Sequence, residues 1–168
     1  MAKNDEEMGP TSGLTPHLTV KGGREAIEFY KKAFGAKVRV MMPGQDGKRL
    51  MHAHLIINDS SLMLADDFPE FHDGKAAGAP TGVTLHLQVK NADKVWEKAV
   101  AAGAKVRMPL ADMFWGDRYG QIMDPFGHTW AIGATLKGAA RKAALASNPM
   151  AAPPPEAKKA PAKKSKKK

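Results

Sequence analysis

The chain repeats itself. His17-Leu18-Thr19-Val20-Lys21 returns as His86-Leu87-Gln88-Val89-Lys90, and Gly35-Ala36-Lys37-Val38-Arg39 returns as Gly103-Ala104-Lys105-Val106-Arg107. Both matches keep their order and nearly their interval, which marks two copies of one supersecondary unit.

Each copy reads the same way. Leu14, Pro16, Leu18 and Val20 alternate with Thr15, His17 and Thr19, as Val83, Leu85, Leu87 and Val89 alternate with Thr84, His86 and Gln88. This is the period-two pattern of a strand with one apolar face. Apolar residues at helical spacing follow, Ala26, Phe29, Tyr30, Ala33 and Phe34 in the first copy and Ala92, Val95, Trp96, Ala99 and Val100 in the second. Gly35 and Gly103 then stand where left-handed caps belong. Three further strands are expected after each helix, at 37–42, 52–57 and 61–65, then at 106–109, 119–123 and 128–134, with a longer loop running to Arg118. The fold class is α+β, two βαβββ modules forming a curled mixed sheet around a cleft. Their boundaries are 14–65 and 83–136, with a linker over 66–82 and a flexible arm over 1–13. Alternation places Thr15, His17, Thr19, Thr84, His86 and Gln88 on the cleft side, and gives His52 and His54 a shared face.

Charge separates the tail from the rest. Residues 1–136 hold 16 basic and 16 acidic side chains, so the whole formal charge of +9 belongs to residues 137–168. This basic Ala/Pro/Lys-rich tail is expected to be disordered from about 147, because such a composition buries too little apolar surface to offset chain entropy. Lys158, Lys159, Lys163, Lys164, Lys166, Lys167 and Lys168 suit non-specific binding to nucleic acid by counterion release, and equally a merely solubilising segment. The chain has no cysteine, which excludes disulfides, thiol nucleophiles and thiolate metal sites. No apolar run reaches the roughly 18 residues of a membrane span, and the opening residues lack the apolar core of a signal peptide. A cytoplasmic protein with no membrane partner is the expectation.

The paired modules, the histidine heading each copy and the stretch Asp124-Pro125-Phe126-Gly127-His128-Thr129-Trp130 resemble the vicinal oxygen chelate superfamily of glyoxalases, bleomycin-resistance proteins and extradiol dioxygenases. Phe114-Trp115-Gly116-Asp117-Arg118 with Gly120 is similar to a glyoxalase-like branch, some of whose members carry demethylubiquinone-methyltransferase-like labels. The resemblance covers about residues 14–136. It implies a small-molecule ligand, a homodimer and, in the enzymes, one divalent metal (Ni, Co, Zn, Mn or Fe) held by residues from the first and last strands of each module. His17 and His86 match the first-strand positions, while the positions for Glu fall near Met63 and Ala131.

Two functions stay open on these residues. A metal-dependent lyase or dioxygenase-like enzyme would hold its ion through His17, His54 and His86, with Arg118 orienting an anionic group. A metal-free sequestering protein would bind an oxygen-rich or aromatic molecule through Phe114, Trp115 and Trp130. Arg118 is equally suited to pairing with Asp117. A third class, association with nucleic acid, rests on the lysine tail alone.

Overall fold

Each copy folds as β-α-β-β-β. The first contains β1 (His17–Val20), α1 (Gly23–Phe34), β2 (Lys37–Pro43), β3 (Leu50–Ile57) and β4 (Ser60–Asp66). The second contains β5 (Thr84–Gln88), α2 (Ala92–Ala101), β6 (Lys105–Asp112), β7 (Asp117–Met123) and β8 (Thr129–Thr135), and α3 (Gly138–Ala146) follows it. These elements belong to a computed structural model that describes Pro10 and residues 13–149. The tail lysines Lys158 to Lys168 and most of the N-terminal arm lie outside the described residues.

The two sheets have the same strand order, β1-β4-β3-β2 and β5-β8-β7-β6. β1 runs parallel to β4 and β5 to β8, and the other pairs are antiparallel, so both sheets are mixed and open. One helix covers one face of each. Ala26, Phe29, Tyr30 and Ala33 bury the apolar stripe of α1 against Leu18, Leu55 and Leu64. Gly35, at φ 70°, ends α1 in the left-handed conformation that glycine adopts without a Cβ penalty. Asp66 fixes the other end of α1: Oδ1 accepts the Gly22 and Gly23 N–H groups, and Oδ2 accepts that of Leu50. Helix α2 is capped by the Asn91 side chain, which accepts the Lys94 N–H.

The modules join through their helix-covered faces. Tyr30 and Phe34 of α1 pack on Trp130 of β8, with ring centroids 5.6 and 4.6 Å apart. Beneath them the Tyr30 hydroxyl and Trp130 Nε1 both donate to Asp124 Oδ2, at 2.7 and 2.9 Å. The hydrophobic core is therefore continuous from one module to the other.

One local expectation needs correction. Strand β6 continues to Asp112, so the expected long loop shrinks to the turn 113–116. Pro109 does not stop the strand because β6 is an edge, where its missing N–H faces no partner. Helix α3 follows β8 and ends before residue 147, with Arg141 and Leu145 lying over Gly116. Among the described residues no helix is long and apolar enough to cross a membrane.

Candidate functional site

Strand alternation leaves each sheet a second face that its own helix does not cover. In the first sheet the pairing register places His17, Met63 and His54 side by side on β1, β4 and β3, with His52 beside Met42 in the next row. In the second sheet the equivalent row is His86, Ala131 and Gln121, and the next is Gln88, Gly133 and Tyr119. The repeat thus maps His17 onto His86, His54 onto Gln121, His52 onto Tyr119 and Met63 onto Ala131.

The two faces are chemically different. On the first, the His17 and His52 rings meet edge to face with centroids 5.7 Å apart. Partial burial, then the neighbouring His17 and His54, hold His52 below the ordinary imidazole range. His54 is fully buried, and its Nε2 shares a 2.9 Å hydrogen bond with the Ser61 hydroxyl. On the second face, His86 and Tyr119 lie nearly parallel, 15° and 6.0 Å apart. His86 Nε2 donates to Gln88 Oε1 at 2.9 Å, Gln88 donates on to Thr135, and Gln121 donates to the Tyr119 hydroxyl. Gly133 makes the room: a Cβ there would come within 2.9 Å of His86 Cε1.

The remaining candidates separate in the same way. Phe114 and Trp115 sit in the turn closed by the Gly116 N–H on the Met113 carbonyl, and the Trp115 ring, 41 % exposed, stands edge-on to Tyr119 at 5.5 Å. They therefore extend the second face. Trp130 is buried on the opposite side of β8, in the junction between modules. Arg118 pairs with Asp93 and Asp112, at 2.7 and 2.9 Å, rather than with Asp117. Hydrogen bonds to these carboxylates push the guanidinium higher and hold Asp93 below the usual carboxylate range. Tyr119 and Gln121 are the site residues that sequence reasoning missed, although their alternation with the buried Gly120 and Ile122 carried the signal.

Grooves follow the line where the modules meet. One, of about 380 Å³, has Leu62, Leu85 and Trp130 among its apolar lining and Ser61, His86 and Gln88 among its polar lining. A second, of about 420 Å³, has His17, Leu85 and His128 on its walls. His17 and His86 line separate grooves.

A hard divalent ion does not fit these residues. The last-strand partners of the two leading histidines are Met63 and Ala131, so neither pair includes a carboxylate. His54 is engaged by Ser61 and His86 by Gln88. Among the described residues no group of three or more His, Asp or Glu is arranged to hold a metal ion. Imidazoles without oxygen donors suit such ions poorly.

Comparison with known proteins gives the lineage. The family model described as the Glyoxalase/Bleomycin resistance protein/Dioxygenase superfamily matches residues 14–132. An uncharacterized protein of Mycobacterium tuberculosis is 45% identical over 130 residues, spanning 74% of this chain and 75% of the relative. Protein PA1353 of Pseudomonas aeruginosa superposes with a TM-score of 0.63 at 26% identity, over 76% of this chain and all of that one. A Bacillus cereus structure titled as a putative 3-demethylubiquinone-9 3-methyltransferase, PhnB protein, shares the fold at 17% identity and a TM-score of 0.57, over 74% of this chain and 100% of that chain. With the repeated βαβββ modules and a matching model over most of its length, the chain belongs to the glyoxalase/bleomycin resistance protein/dioxygenase superfamily.

Proposed function

We propose that this protein binds a planar aromatic small molecule on the open face of its second sheet, against His86, Tyr119 and Trp115, without the help of a divalent metal. The observation that carries this reading is the pairing of His17 with Met63 and of His86 with Ala131. It removes the carboxylates that an enzyme of this superfamily would use to hold a divalent ion and to take a proton. What remains on the second face is an array of parallel and edge-on rings with two side-chain amides beside them, a surface that stacks a flat ligand and hydrogen-bonds its edge. Members of the superfamily commonly bind small molecules and form dimers. A homodimer fits this chain, since Val38, Met41 and Met42 on the edge strand β2 and Val106 on the edge strand β6 are exposed.

The test is a tryptophan-fluorescence screen of anionic aromatics, dicarbonyls and aromatic antibiotics, run with and without a strong chelator. A ligand should quench fluorescence equally in both conditions. Trp115→Ala or Tyr119→Ala should weaken it by more than about tenfold, the loss of a stacking contact worth ~1.4 kcal/mol or more. Trp96→Phe, in the α2 core, should not. Binding abolished by the chelator, or a larger loss from Trp96→Phe than from Trp115→Ala, would overturn the reading.

A further inference from the structure

Helix α3 lies against the turn that carries the aromatic side chains at the rim of the second face. Leu145 Cδ2, Arg141 Cγ and Arg141 Nε stand 3.5, 3.5 and 3.6 Å from the point that a Cβ on Gly116 would occupy. Gly116, at φ 94°, follows Trp115 directly and has no side chain to hold the helix off. The Arg141 guanidinium therefore begins one residue along the chain from Trp115, the ring that stands edge-on to Tyr119. Residues 137–149 hold Lys137, Arg141 and Lys142 and no acidic side chain, so α3 brings positive charge to this rim.

Two comparisons single out Arg141. Arg118, at the start of β7, is already matched by Asp93 and Asp112. Arg141 is exposed, and among the described residues its side chain has neither an ion pair nor a hydrogen bond. The sheet beside it offers a ligand the amides of Gln88 and Gln121, the Tyr119 hydroxyl and the His86 ring, with no Lys or Arg among them. A negative charge on a molecule stacked there finds its partner at the rim. We propose that Arg141 receives a carboxylate on the edge of the ligand, so that the class of molecule taken by the second face is a planar aromatic acid. The planar guanidinium fork suits a carboxylate better than an ammonium would. This inference rests on the aromatic-ligand reading of the second face, and adds to it the ligand's charge and the residue that reads it.

The experiment titrates the full chain by calorimetry with 2-naphthoate and with 2-naphthamide, two flat probes of the same shape that differ in charge. The acid should bind about fivefold more tightly than the amide, the upper end for a solvent-exposed charge pair. Arg141→Gln should erase that preference and leave the affinity for the amide unchanged. Arg118→Gln, which removes the same charge elsewhere, should keep the preference, and Trp115→Ala should weaken both probes. Equal affinity of the wild type for acid and amide, or a preference that survives in Arg141→Gln, would overturn the role of Arg141 while the Trp115 dependence upheld the aromatic site. Failure of both probes to bind at millimolar concentration, or binding that Trp115→Ala leaves unchanged, would overturn the aromatic site and this inference with it.

Discussion

His86 and Tyr119 lie almost parallel, 6.0 Å apart, at the strand positions where the first module sets His17 and His52 edge to face. The small residue in the next row differs: Gly133 in the second sheet, Ala65 in the first. A glycine lets His86 and Gln88 settle close to the sheet, and a methyl group at that place would meet both, at 2.9 and 2.7 Å.

Gly133→Ala should therefore damage the second face without unfolding the protein. The backbone there is not in the left-handed region, and the atoms met belong to movable side-chain ends. Thermal denaturation should show a loss of about 1 kcal/mol, at the lower end for an added methylene. Fluorescence titration of any ligand found on this face should show a much larger proportional loss. Unchanged ligand affinity would mean that His86 and Gln88 do not position it.

Gly120→Ala makes the contrasting case. A Cβ at Gly120 would sit 2.6 Å from the Trp96 ring and 2.9 Å from the Leu110 backbone, so the helix α2 must shift off its sheet. The expected cost is about 1–3 kcal/mol, read from chemical denaturation.

Asp124 should make stability depend on pH. Burial favours its neutral form, but His128, Trp130, Tyr30 and the His128 backbone N–H together hold the carboxyl below its ordinary value. The His128 ring takes part only electrostatically, since Nδ1 stands 3.6 Å from Oδ2. A folded-state value depressed in this way adds stability at pH above the unfolded value of about 3.9, and that stability is lost as pH falls through the folded value. Asp124→Asn should cost about 1.5–3 kcal/mol at neutral pH, and the gap from wild type should narrow below about pH 4. Denaturant melts across pH 3–7 would measure it. A constant gap across that range would show that Asp124 does not titrate as described.

Arg118→Ala should have little effect on stability. Its ion pairs with Asp93 and Asp112 are largely solvent-exposed, which limits their contribution to about 1 kcal/mol and makes it sensitive to salt. Ligand affinity should be unchanged as well. A tenfold loss for an anionic probe would give Arg118 a direct part in binding.

Much of the fold was legible because both copies carry the same periodicities: two-residue alternation at Leu18/Val20 and Leu87, helical spacing at Ala26/Tyr30 and Ala92/Ala99. The alternation rule also placed His17, His52 and His86 on the faces opposite the helices. It could not say that the two helix-covered faces meet, because the join depends on Tyr30 reaching Asp124 across 94 residues of chain. The place of Trp130 between the modules was hidden for the same reason, since only the docking of α1 sets its ring in the junction while it also lines the groove of about 380 Å³. The extent of β6 was hidden by Pro109, whose effect depends on an edge position that sequence does not display.

The Tyr30–Asp124–Trp130 junction has a broader consequence. The rings and hydrogen bonds of this junction lie on the helix-covered side of each sheet, so the opposite surfaces take no part in it. Selection can rewrite one surface while leaving the other, and the scaffold, as they were. The histidines and methionines of the first half and the tyrosine and glutamines of the second are separate answers written on the same frame.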